Sequence, residues 1–118
     1  MQTDPVTVSG LRAAIEGRDA RKLTELYSAD AVLQIIDADN PPSRPRELRG
    51  REAIAAYFDD VCGRAMSHRV ETGIREGNRI AFTETCTYPG GERVACQAML
   101  DLDHDCIARQ VMLVVWDA

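Results

Sequence analysis

The sequence lacks any run of about eighteen apolar residues, so no helix of it should cross a bilayer. Its opening stretch, "MQTDPVTVSG", has neither the basic nor the apolar block of a secretory leader, and the expected compartment is the cytoplasm. Cysteine occurs four times, as Cys62, Cys86, Cys96 and Cys106, without a C-x-x-C pair, and histidine only twice. Zinc-ligand spacing is missing, so neither a metal nor another cofactor is expected. In a cytoplasmic chain the thiols should be reduced, small and partly buried. Cys86 and Cys96 flank a predicted hairpin, and a disulfide between them is the alternative. An excess of positive charge is missing too, since the net charge is −5. A nucleic-acid partner would demand a basic face to neutralise phosphates. The densest basic stretch, "SRPRELRGRE", is interrupted by Glu47 and Glu52 and reads as a solvated loop.

What is present is 118 residues with 45% apolar content. That is enough for one compact domain over 1–118 with a single core. The first half is helical. Val8, Leu11 and Ile15 keep helical spacing, with Ser9 as the expected cap and Gly17 as the stop. Asp19 is expected to cap a second helix carrying Leu23, Leu26 and Tyr27. "AVLQII" is a short strand. "DADNPPSRPRELRG" reads as a long loop, because its three prolines oppose regular structure. A third helix runs from Arg51 to Arg64, with Ile54, Tyr57, Phe58, Val61, Cys62 and Ala65 as its apolar stripe.

From Ser67 the period changes to two. Strands meet at Gly77-Asn78, at "PGG" over 89–91 and at "HD" over 104–105. The order α-α-β-α-β-β-β-β is an α+β layout with helices on one face of a mostly antiparallel sheet. The last strand is apolar on both faces: Val111, Leu113 and Val115 on one, Met112, Val114 and Trp116 on the other. Helices cover one face of a one-sided sheet. The other face calls for a second copy of the chain, giving a homodimer through the open sheet face, or else for a loop folded over it.

In sequence order, "GRDARKLTELYSADAVLQ", "LRGREAIAAYFDDV" and "EGNRIAFTETCTY" resemble the nuclear transport factor 2-like superfamily, in its SnoaL-like and ketosteroid-isomerase-like group. The resemblance runs from Val6 to Trp116. It implies a cone-shaped α+β barrel: three helices from the N-terminal half packed on a curved, mostly antiparallel sheet, with an apolar pocket at the open end. Members include isomerases, cyclases, dehydratases, epoxide hydrolases and non-enzymes, so the fold alone does not name a reaction.

Ketosteroid isomerases use an aspartate base and, as oxyanion donors, a tyrosine and a protonated aspartic acid. Laid on that pattern, the base position falls on Ile35, the tyrosine on Leu11 and the second acid on Ala98. Without a base or donors, proton transfer beside a ketone has no agent, and isomerase activity is not expected. The Asp-Arg-Asp set of the epoxide hydrolases finds only Asp101 and Arg109, whose strand parity points away from the pocket. The SnoaL cyclases use a late aspartic acid and a pocket histidine. Here the late acids Asp101, Asp103, Asp105 and Asp117 lie at strand ends or face outward, and His68 is the counterpart of the histidine.

Three residues are candidates for chemistry. On the strand of Ile80, Phe82, Glu84, Cys86 and Tyr88, even positions share the pocket parity of the family. Glu84 is then a carboxylate inside an apolar cone, and burial alone would raise the pKa of such a group. The competing reading pairs it with an arginine or tyrosine, or places it at a wet mouth. Asp37 is a shifted base at the exit of the first strand, or an Asx-type turn before Asn40-Pro41; Asp39 belongs to the loop. His68 titrates near neutrality, or is a hydrogen-bonded structural residue. Tyr57, Phe58, Phe82, Cys86, Tyr88, Met112 and Trp116 are expected to line the pocket, with Gln110 orienting a ligand carbonyl.

Two functions are consistent with this pattern. One is a binder of a small apolar molecule with cofactor-independent acid–base chemistry, centred on Glu84. The other is a non-catalytic dimeric module that binds a ligand or recruits a protein partner. A closed cone filled by Phe58, Met112 and Trp116 favours the module, and an open pocket floored by Glu84 favours the enzyme.

Overall fold

The computed structural model describes residues 6–117. The first helix, α1, spans Val8–Glu16 and buries Leu11, Ala14 and Ile15. Its cap is Thr7 rather than Ser9: Thr7 has the extended backbone a cap requires, and its hydroxyl accepts from Gly10 N. Helix α2 spans Ala20–Glu25 and is capped by Asp19, whose carboxylate accepts from Lys22 N. It ends before Tyr27, which opens strand β1 (Tyr27–Ile36). The stretch expected to be all loop contains a short strand, β2 (Arg46–Arg49), which starts immediately after the last proline and pairs with Val32–Ile35. Helix α3 (Arg51–Gly63) buries Ile54, Phe58 and Cys62. Gly50 makes the turn into it at φ +87°, a region that L side chains rarely adopt.

Strands β3 (Ser67–Glu76), β4 (Arg79–Thr87), β5 (Arg93–Asp103) and β6 (Cys106–Trp116) complete a six-stranded sheet in the order β2-β1-β6-β5-β4-β3. Only β1 and β6 run parallel; the other neighbours are antiparallel. The three helices pack on the concave face of this curved, open sheet. Helix α1 lies close on β3. A Cβ added at Gly73 would stand 2.3 Å from Val8 Cγ1, so only glycine allows that approach.

Strand β3 carries a bulge between Val70 and Thr72. The two-residue turn at Gly77-Asn78 sets Glu76 opposite Arg79 and Thr72 opposite Thr83. Beyond the bulge the register slips by one residue, and His68 stands opposite Cys86 instead of Thr87. Because side chains alternate, one extra residue moves every later side chain to the other face. Gly73 and His68 therefore both lie on the inner side although they are five positions apart. The carboxylate of Glu16, at the end of α1, accepts from Val70 N at 2.9 Å and satisfies the backbone that the bulge leaves without a ladder partner.

Candidate functional site

The inner face of the sheet and the helices enclose a cavity of about 110 Å³. Tyr57, Phe58, His68, Phe82, Glu84, Cys86, Tyr88, Gln110, Met112 and Trp116 all line it. The parity of β4 is as read from the sequence, with Ile80, Phe82, Glu84 and Cys86 buried and Ala81, Thr83, Thr85 and Thr87 only partly so. Asp37 is not in the lining. Its carboxylate accepts from Asp39 N, Asn40 N and Asn40 Nδ2 at 3.0, 2.9 and 2.8 Å. This is the Asx-type turn that ends β1.

Glu84 is not a lone carboxylate, and its partner is neither arginine nor tyrosine. His68 Nδ1 lies 2.7 Å from Glu84 Oε2. The Cys86 thiol donates to the same oxygen at 3.1 Å, and its sulfur lies 3.3 Å from His68 Nδ1. Side-chain exposure is 3% for His68 and 10% for Glu84, so the pair is shielded from bulk water. The hydrogen bonds with Cys86 and Glu84 push the His68 pKa up to about 9, against the opposing effect of burial. His68 therefore carries its proton at neutral pH. Its other nitrogen, Nε2, is buried and has no hydrogen-bond partner among the described residues. The Cys86 thiol is pushed up by its hydrogen bond with Cys96 and then by burial, which keeps it protonated and a poor nucleophile.

A second polar pair was not anticipated. The hydroxyl of Tyr27, a fully buried residue, donates to Gln110 Oε1. The Tyr27 pKa is raised by burial first, then by Tyr57 and Glu84 nearby. Arg51 reaches back from the start of α3 and donates to Tyr27 O through Nε and Nη2 at 3.0 and 2.7 Å, anchoring the beginning of β1. The Tyr57 hydroxyl is also held protonated, by burial and then by Cys96 and Glu84. At the rim, Tyr88 stacks on Trp116 with ring centroids 5.7 Å apart. Arg64 donates to the Tyr88 hydroxyl there and pairs with Asp60.

His68, Glu84 and Cys86 form the one group among the described residues whose donor atoms, all within 4.8 Å of one another, could hold a metal ion. The fit is poor. Two ligands on a tetrahedral zinc stand roughly 3.3 Å apart or more, given metal–ligand bonds of about 2.0–2.3 Å. The 2.7 Å contact between His68 and Glu84 is a charge-assisted hydrogen bond. The four cysteines carry free thiols. Among the described residues no helix is long and apolar enough to cross a membrane.

The profile of the SnoaL-like domain matches residues 8–110. The chain belongs to the SnoaL-like domain family. Solved structures repeat its fold at low identity. An NTF2-like protein of unknown function from Burkholderia xenovorans LB400 is 14% identical, with TM-score 0.78 over 94% of this chain and 81% of that one. IdmH of Streptomyces antibioticus, provisionally assigned as a polyketide cyclase, is 21% identical, with TM-score 0.66 over 91% and 88%. A hypothetical protein with a ketosteroid isomerase-like fold from Catenulispora acidiphila, in complex with trimethylamine, is 19% identical, with TM-score 0.67 over 93% and 85%. No curated protein matches the sequence. Within this SnoaL-like chain Leu11, Ile35 and Ala98 are all buried and apolar. Arg109 and Asp101 pair across β5 and β6 and line the groove on the outer face, away from the cavity.

Proposed function

We propose that this SnoaL-like protein, a single domain over 1–118, binds a small and mostly apolar molecule bearing an oxygen acceptor. On this reading His68 acts on that oxygen as an acid, without a cofactor. The observation that carries the reading is the His68–Glu84 pair inside an apolar cavity, with His68 Nε2 unpartnered. Glu84 holds Nδ1, so the remaining N–H of the imidazolium is free for a ligand. A buried donor without an acceptor costs about 1–3 kcal/mol, and a bound carbonyl or alkoxide oxygen relieves that cost. The chemistry that follows is polarisation or protonation of a ligand oxygen. Glu84, the residue first favoured for this role, instead supports the histidine.

The size of the cavity limits the ligand. At about 110 Å³ it falls below the roughly 150 Å³ that takes up a benzene ring. A single-ring compound would enter with a small movement of the Tyr88–Trp116 rim. The cone is thus neither filled by Phe58, Met112 and Trp116 nor widely open.

Assembly is the second element of the proposal. Met99, Val111, Leu113 and Val115 are exposed on the outer face, around a shallow groove of about 510 Å³ that also takes in Arg79, Asp101 and Arg109. A face this apolar is costly to leave in water, and we assign it to a second copy of the chain. The free thiols suit a reducing compartment such as the cytoplasm.

The test is NMR titration of the wild type with ring-sized ketones, following the His68 ring nitrogens. Binding should move Nε2, and His68→Asn should remove the response. Deuterium uptake beside the carbonyl of bound cyclohexanone, lost in His68→Asn, marks an enzyme. Binding without exchange marks a ligand-binding module. A His68 signal that stays still across the series at millimolar ligand refutes the site.

A further inference from the structure

The pairing of Tyr27 with Gln110 has a consequence for what the cavity selects. The Tyr27 hydroxyl is buried and, among the described residues, makes its one side-chain hydrogen bond to Gln110. A buried O–H needs an acceptor, so Gln110 must offer Oε1 to it. The amide nitrogen then has to point elsewhere. On the neighbouring strands, the residues directly opposite Gln110 are Leu33 and Leu100. Both are fully buried, and neither side chain accepts a hydrogen bond. Met112 follows Gln110 on the same face of β6. What remains for the two N–H groups is the cavity that Gln110 lines. The alternative flip, with Nε2 toward Tyr27, would leave a phenolic proton buried without a partner. Burial keeps that proton in place at any working pH.

We infer that Tyr27 is a positioning residue that locks Gln110 as a neutral hydrogen-bond donor to the cavity, so that the site favours ring-sized molecules with an uncharged oxygen acceptor over their hydrocarbon counterparts. This rests on the reading of the cavity as a ligand site. It separates two donors of different kind: His68 changes with pH, whereas Gln110 does not. Selection by Gln110 therefore persists above pH 9, where His68 loses its proton.

The test uses two probes of equal shape, cyclohexanone and methylenecyclohexane, titrated by NMR at pH 7 and pH 10. The wild type should prefer the ketone at both, by about tenfold at the higher pH, as one net hydrogen bond implies. Tyr27→Phe keeps the ring and should remove most of the preference at pH 10 while hydrocarbon affinity stays. Gln110→Met should do the same, and the two changes together should cost no more than one. If Tyr27→Phe does not fold, Gln110→Met alone decides. Equal loss of both probes in Tyr27→Phe would mean a merely structural tyrosine and overturn the inference, as would an unchanged preference in Gln110→Met. Failure of both probes to bind the wild type would refute the cavity as a ligand site, and the inference with it. Equal binding of both probes would refute the inference alone.

Discussion

Replacing His68 by Asn should make the stability of the protein less dependent on pH between 6 and 9. In the folded chain the His68 pKa is raised from 6.5 to about 9 by Cys86 and Glu84. The fold therefore binds the imidazolium more tightly than the unfolded chain does. That contribution is complete below 6.5 and fades as pH climbs through 9. At about 1.4 kcal/mol for each tenfold change in proton affinity it cannot exceed about 3.5 kcal/mol. Solvent entering the cavity screens part of it, leaving about 1–2 kcal/mol. Urea melts of wild type and His68→Asn at pH 6, 7.5 and 9 read it directly. The advantage of the wild type over the variant should shrink by that amount across the series. The Cys86 thiol, also raised, destabilises the fold in the same direction once unfolded cysteine ionises. It is present in both proteins, so the difference suppresses its effect. Glu84→Gln should cost about 2 kcal/mol at pH 7, because a charge-assisted hydrogen bond is lost from a buried imidazolium. Parallel pH profiles for wild type and His68→Asn, or a His68 ring titrating at or below 6.5 by NMR, would refute this account of the pair.

Three other outcomes are expected. Gly73→Ala should destabilise by about 1–3 kcal/mol through overpacking against Val8, and adding Val8→Ala should recover part of the loss; denaturant melts of the three variants check this. Light scattering at micromolar concentration should give twice the chain mass for the wild type and the single mass for Leu113→Asp, which would bury an unpaired charge between copies. A wild-type monomer would end that proposal. Purified protein should leave Δ5-ketosteroids unchanged, because Leu11, Ile35 and Ala98 occupy the catalytic positions of the isomerases. Turnover above background, followed by absorbance of the conjugated product, would show that these residues were wrongly aligned.

The parts of this fold set by local alternation were legible in the sequence, and those set by contact across the chain were not. Strand β4 alternates strictly, so the inward set of Phe82, Glu84 and Cys86 followed from parity. Both faces of β6 were readable for the same reason. Strand β2 was missed because "RELR" is polar and adjoins three prolines; its structure comes from pairing with β1. Tyr27 was placed in α2 because no glycine or proline separates "TELY" from the strand, and the helix ends there without a breaker. Losing Tyr27 to a helix hid its pairing with Gln110. His68 and Glu84 were each singled out, yet their union was not, since it depends on a register that the turn at Gly77-Asn78 alone does not give. The zinc spacing sought along the chain was absent, while three donor side chains converge in space.

The bulge in β3 divides that strand into two lengths that are out of phase. Counting back from the turn at an even pace would turn His68 toward the outer face, opposite Thr87. The extra residue, Glu71, is exposed and takes no part in the cavity, yet it decides which way the histidine looks. Drawn into the ladder, Glu71 would restore an even rhythm and carry His68 out to solvent. It would leave Glu84 in an oily cone with only a thiol beside it. Such a chain would keep its sheet and its helices while losing the imidazole from its cavity. Whether one exposed residue is paired or bulged thus separates this arrangement from one whose buried carboxylate has no histidine beside it.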